Sequence, residues 1–131
     1  MKTLLPPGWP RPHGYANGIS ASGRMVFTAG VVGWDEQDFF TSDNLAGQFA
    51  QVLKNIVEIL AAGEARPEHI VRMTVYVTSI EKYLQSTVVI GDAWRAIIGP
   101  HYPAMALVEV VRLIEPSALV EIEATAVVPE E

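Results

Sequence analysis

The chain has no cysteine. That excludes disulfides, a thiolate nucleophile and any thiolate metal site. Positive charge is scarce too. Nine lysines and arginines stand against fifteen aspartates and glutamates, for a net charge of −6, and the nine cations are scattered singly. A nucleic-acid-binding domain carries a basic face to neutralise phosphates, so no nucleic acid is expected as partner. No apolar run approaches the roughly 20 residues that span a bilayer, so no membrane is expected either. Met1 to Gly8 holds one lysine and no apolar run followed by a cleavage site; no leader is read there, and the expected compartment is the cytoplasm. Phosphate loops, dinucleotide fingerprints and zinc signatures are missing, and His13, His69 and His101 lack the helical spacing of a metal site. Neither a cofactor nor a metal is expected.

What is present fits one domain, residues 1–131, since domains usually run to about 100–150 residues. Half the residues are hydrophobic and 18% are charged, which excludes a disordered chain. A mean hydropathy of +0.24 is high for so short a chain. It points to apolar surface buried against other copies.

Residues 1–14, with four prolines and two glycines, read as an extended arm. Ala16 to Ala21 and Arg24 to Val32 read as strands, with Ser22-Gly23 as a hairpin turn between them. Leu45, Phe49, Val52, Leu53, Ile56, Ile59 and Leu60 form one apolar stripe and predict a helix over 43–62. Ser42 or Asp43 would cap it and Gly63 would stop it. Ile70 to Thr78 alternates, with Val71, Met73, Val75 and Val77 on one face. A second helix is predicted over 80–98, irregular at Thr87 to Gly91, where helix propensity is weak. Two strands close the chain, about 104–113 and 119–128. The order β-β-α-β-α-β-β gives an α+β fold with a mixed sheet and two helices on one face. The other face would carry Thr74, Tyr76, Glu121, Glu123 and Thr125 together with Met105 and Leu107. It is too apolar to stay bare, so oligomerisation through it is expected.

Glu121 and Glu123 are two apart and share one face of the last strand. A solvated edge explains such a pair. A carboxylate held in a partly apolar cleft, with Met105 and Leu107 as its wall, would instead move protons near neutral pH. Gly30, like Gly18 and Gly33, reads as a turn or bulge glycine. Tyr15 reads as packing or the rim of a pocket. His101, beside Tyr102-Pro103, reads as a structural residue at a strand start.

Four stretches together resemble the reactive-intermediate deaminase (Rid, or YjgF-like) family. They are Tyr15-Ala16-Asn17-Gly18, Met25 to Gly30, Tyr102 to Leu113 and Val120-Glu121-Ile122-Glu123-Ala124. The resemblance runs from about residue 12 to 129. It implies a chorismate-mutase-like fold assembled as a homotrimeric barrel, with ligand clefts between subunits. It also implies hydrolysis of reactive imines and enamines to carbonyl compounds and ammonia, without a cofactor. The ligand would be an imine, an enamine or a keto-acid-like molecule.

Carried over by position, Glu121 would position or activate the attacking water. Tyr15 would bound the pocket, and the Gly30 backbone would approach the ligand. His101 would be an accessory. The family's carboxylate-binding arginine falls at Met105, its frequent small Cys or Ser at Leu107, and its helical asparagine at or near Gly91. Losing a charge-assisted pair in a desolvated cleft costs about 1.5–3 kcal/mol. The expected substrate therefore differs from simple 2-imino acids. Arg72, Arg95, Arg112 and His101 are candidate replacement cations. The alternative is a non-catalytic trimeric protein that binds a small molecule and regulates.

Overall fold

The longest apolar stripe of the sequence is helix α1, Leu45–Ala62, in a computed structural model that describes residues 1–130. Its N-cap is Asn44, whose Oδ1 accepts the Gly47 N–H at 2.8 Å. Neither expected cap holds that place. The Ser42 hydroxyl accepts from the Asn44 N–H at 3.2 Å instead and shapes the turn that presents Asn44 to the helix. At the other end, Ala65 N–H reaches Leu60 O at 2.9 Å and Glu64 N–H reaches Ala61 O at 3.0 Å, a Schellman arrangement. Gly63 does stop the helix, but the left-handed residue is Glu64, with φ 59°. Gly63 is needed for space: a Cβ there would lie 2.8 Å from Val26 Cγ1.

The described residues form seven strands: β1 (Lys2–Leu4), β2 (Gly18–Ser20), β3 (Arg24–Phe27), β4 (Val31–Val32), β5 (Ile70–Val77), β6 (Ala104–Glu109) and β7 (Val120–Val128). A small sheet pairs β1 with β2. The main sheet runs β3-β7-β5-β6, with β4 also on β7. Only β5 and β6 are parallel. A parallel pair needs a long crossover, and helices α2 (Ile80–Gln85) and α3 (Thr87–Ile97) supply it. The α+β class, the mixed sheet and the single helical layer agree with the sequence reading.

Four local expectations are corrected. The Ser22-Gly23 hairpin does not form: β2 pairs with the arm, and β3 pairs with β7. The long, regularly alternating β7 lets Val26 join the core opposite Ala126, which residues 16–21 could not offer. The strand expected over 24–32 is split by a bulge at residues 28–30 against β7. The crossover helix breaks at Ser86, and Thr87 to Gly91 is helical. The Ser86 hydroxyl donates back to the Lys82 carbonyl at 2.8 Å, a local bond that competes with the helical ladder. Last, β5 carries a bulge between Ile70 and Arg72. It turns Ile70 into the core and leaves Val71 half-buried.

One face of the sheet and the helices enclose the core. Val120, Ile122, Ala124 and Ala126 of β7 alternate inward beside Met73, Val75 and Val77 of β5. They meet Phe49, Val52, Leu53 and Ile56 of α1 and Ile90 and Trp94 of α3. One polar side chain is fully buried here. Gln48 donates to Ser42 O (3.1 Å) and Ser117 O (2.9 Å) and accepts from Leu119 N–H (2.8 Å). It ties α1 to the loop before β7. Among the described residues, nothing covers the opposite sheet face: Met25 (56% exposed), Phe27 (63%) and Val108 (42%) stand on it. Among the described residues, no helix is long and apolar enough to cross a membrane.

Candidate functional site

The expected site residues fall into two groups at opposite edges of the main sheet. The first lies where β3 gives way to β4. Phe27 pairs with Thr125 and Val31 with Ile122, so three residues (28–30) oppose two (123–124). This is a β-bulge. The Thr28 hydroxyl secures it, accepting from Ala124 N–H at 3.0 Å and donating to Ala29 O at 2.8 Å. The bulge lays Gly30 against Glu121. A Cβ on Gly30 would strike the Glu121 carboxylate, with Cδ only 2.8 Å away. Gly30 is therefore where the backbone leaves room for that side chain.

Glu121 is half-buried on the uncovered face, directly opposite Tyr76. The Tyr76 O–H donates to Glu123 Oε1 at 2.9 Å. That hydrogen bond, partial desolvation and the charges of Glu123 and Glu121 hold the phenol above its ordinary pKa. Tyr76 therefore remains a proton donor beside the two carboxylates. Sequence reasoning put all three on one face but gave Tyr76 no role. The signal was the alternation of β5.

The second group lies at the start of β6. Ala16 N–H donates to Pro103 O at 2.9 Å, and Ala16 bridges Ala104 in parallel. This pins Tyr15 beside His101 and Tyr102. All three line a cavity of about 670 Å³ beneath the N-terminal arm. His101 Nε2 lies 2.7 Å from the Ile70 carbonyl. A carbonyl only accepts, so the proton sits on Nε2. Trp94 Nε1–H donates to His101 O at 3.1 Å, and the Trp94 ring stacks on Tyr102 at 5.9 Å. His101 is thus held structurally while one edge faces the cavity. Sequence reasoning missed Arg11 and His13, which line the same cavity, because an irregular proline-rich arm has no period from which to read a facing.

Met105 and Leu107 require a correction. In the parallel register Met105 pairs with Met73 and Leu107 with Val75. Both therefore point to the core side, where they pack as half-buried side chains. Val108, opposite Tyr76, shares the face of Glu121. Met105 and Leu107 do not wall Glu121 within one chain. β5 lies between β6 and β7, so the strands of Met105 and Glu121 are two spacings apart, about 10 Å. Three residues along the strand add a further ~10 Å, and the two side chains are on opposite faces. The alternation separated the two faces of β6 and β7, but only the register says which faces coincide.

The candidate cations are dispersed. Arg95 Nη2 pairs with Asp92 Oδ1 at 2.6 Å, and its guanidinium lies over Gly91. Arg72 shares a small cavity of about 190 Å³ with Glu123. Arg112 sits on the loop after β6, in a cavity shared with Glu115. Among the described residues, no cluster of three or more His, Asp or Glu could hold a metal ion.

A bulge-held glycine against a carboxylate, a tyrosine at the other sheet edge and an uncovered sheet face mark a small α+β protein whose candidate site residues lie at opposite edges. The family model for Endoribonuclease L-PSP matches residues 10–128. A RutC family protein of Synechocystis is 30% identical over 98% of both chains, and one of Aquifex aeolicus is 29% identical over 97% of this chain and 99% of the other. Among solved structures, the Rid-family protein YyfB of Yersinia pestis, of unknown function, superimposes with a TM-score of 0.83 at 29% identity, covering 97% and 98% of the two chains. The YjgF gene product of E. coli gives 0.67 at 28% identity, with the same coverage. The chain belongs to the Rid (YjgF-like) family.

Proposed function

We propose that this protein is a Rid-type hydrolase that converts a reactive imine or enamine to a carbonyl compound and ammonia, in clefts between the subunits of a homotrimer. The observation that carries this reading is the seating of the Glu121 carboxylate against Gly30 at the bulge, on a face with no cover of its own. The second group, around Tyr15, lies at the opposite sheet edge, too far away to meet the same small ligand within one chain. A neighbouring copy that presents its β6 edge to the β4 edge of the first completes a cleft. The exposed Met25, Phe27 and Val108 are the apolar surface such an assembly would cover.

In the reaction, water adds to the imine carbon while Glu121 takes one of its protons. The proton passes to the nitrogen, giving a carbinolamine. As that intermediate collapses, its hydroxyl proton moves to the amino nitrogen, the C=O bond forms, the C–N bond breaks and ammonia leaves. The enamine form first tautomerises to the imine by gaining a proton at carbon and losing one from nitrogen. Gly30 contributes by having no side chain, which lets the Glu121 carboxylate sit against the backbone at the bulge. The lack of an arginine at position 105 supports a substrate other than the simplest 2-imino acids.

The test is ammonia release from freshly generated 2-iminobutanoate and a bulkier branched imino acid. Glu121→Gln should reduce turnover at least about 100-fold, the usual size of a general-base effect. Sedimentation should give a mass three times the 14.3 kDa of one chain. Turnover unchanged in Glu121→Gln would remove the proposed base. A monomer with full turnover would remove the shared cleft. A wild type that binds these acids without releasing ammonia would favour the regulatory reading.

A further inference from the structure

We propose that the cavity beneath the N-terminal arm is the anion-binding end of the ligand cleft, with Arg11 as its carboxylate-binding cation. This rests on the reading above that Tyr15 bounds the cleft. It names a residue and a substrate class which that reading leaves open.

The cavity, about 670 Å³, lies within the usual range of small-molecule sites. Its charge runs against that of the molecule. The chain carries −6 overall, yet the lining includes Arg11, His13 and His101 and, among the described residues, no aspartate or glutamate. A cation with no acid beside it attracts anions locally. Of the three, Arg11 alone is permanently charged. His101 has its Nε2–H committed to the Ile70 carbonyl, whereas the Arg11 guanidinium presents a fork of N–H donors suited to a carboxylate.

The other arginines are engaged or face acids. Arg24 donates to the Gly63 and Glu64 carbonyls, Arg66 pairs with Glu68, and Arg95 pairs with Asp92. Arg72 and Arg112 line cavities that also hold Glu123 and Glu115. Arg11 is the arginine whose cavity is free of carboxylates.

The segment bearing Arg11 is anchored on both sides. Before it, β1 pairs with β2, and Leu4 Cδ1 packs 3.2 Å from where a Cβ on Gly18 would lie. After it, Gly14 turns at φ +79°, and Ala16 hydrogen-bonds to Pro103. Anchoring reduces the ordering cost of binding. Leu4, Leu5 and Tyr102 supply apolar wall. The ligand class is therefore a monocarboxylate with an apolar body of several carbons, its charge toward the arm. The cation missing at position 105 is supplied from the arm.

The test is calorimetric binding of 4-methyl-2-oxopentanoate and of its uncharged methyl ester to the assembled protein. Arg11 lies outside the hydrophobic core, so its replacement should leave the melting temperature unchanged. Arg11→Gln should weaken the carboxylate roughly tenfold, the size of a charge-assisted hydrogen bond, and leave the ester unaffected. Arg11→Lys should restore part of the loss, and Arg66→Gln should change nothing. Carboxylate binding unchanged in Arg11→Gln overturns the proposal. So does a wild type that binds the ester as tightly as the acid, or that binds neither. Ammonia release is read separately. Arg11-dependent binding without turnover would refute hydrolysis and leave the anion site standing.

Discussion

Replacing Gly30 by alanine sets one methyl group against one carboxylate. The added Cβ would stand 2.8 Å from Glu121 Cδ and 3.2 Å from Cγ. Carbon atoms rest at about 3.5–4.0 Å, so the carboxyl group must move by at least ~0.7 Å. The backbone at Gly30 is not in the left-handed region, so alanine brings no strain of its own. Glu121 is only half-buried and can change rotamer, at a cost of about 0.5–1.5 kcal/mol. Stability should therefore fall by no more than ~1.5 kcal/mol. Catalysis is far more sensitive to position, since a displacement near 1 Å can cost about 100-fold. The expected result is a folded Gly30→Ala protein with turnover reduced 10- to 100-fold, read by ammonia release alongside a urea titration. Full turnover in a normally folded variant would show that the Glu121 position is unimportant and would sink the proposed mechanism.

Three further outcomes follow from the fold. Gln48→Ala leaves the Leu119 N–H and two carbonyls without the partners they now have, so unfolding free energy should drop by about 2–4 kcal/mol. A drop below ~1 kcal/mol in urea would contradict that role. Glu64→Gly relieves the left-handed residue at the α1 C-terminus, and the melting temperature should rise by a few degrees, for about 0.5–1 kcal/mol. An unchanged or lower value would mean the Glu64 side chain contributes more than its backbone costs. Tyr76 should ionise above the ordinary phenol range in an ultraviolet titration, because its proton is hydrogen-bonded to Glu123. With the folded-state pKa raised, this bond supports folding fully below the unfolded phenol pKa, and the support is lost as pH rises through the folded value. Burial raises Tyr83 as well, so Tyr76→Phe should remove one of two raised phenols from the titration; an undiminished high-pH amplitude would contradict the assignment to Tyr76.

Much of the fold was legible because burial leaves a period in sequence. The stripe from Leu45 to Leu60 and the alternation of residues 120–126 could each be read without knowing what they pack against. Glu121 and Gly30 could be singled out, and their carry-over by position brought together two residues that the bulge does place in contact. The arm was illegible for the opposite reason. Its prolines and glycines set turns, so Arg11 and His13 carry no pattern that points them at a shared cavity.

By itself, then, the sequence determined the class of fold, the two faces of the last strand, the absence of thiol chemistry and the sign of the overall charge. Each of these depends on residue type and on spacing along one element. The tertiary structure alone decided that β3 pairs with β7 rather than with its sequence neighbour. It alone decided that Met105 faces the core while Glu121 faces out, and that an acid-free cavity opens beneath the arm. Those outcomes depend on register between strands distant in the chain, and a one-residue bulge is enough to change them.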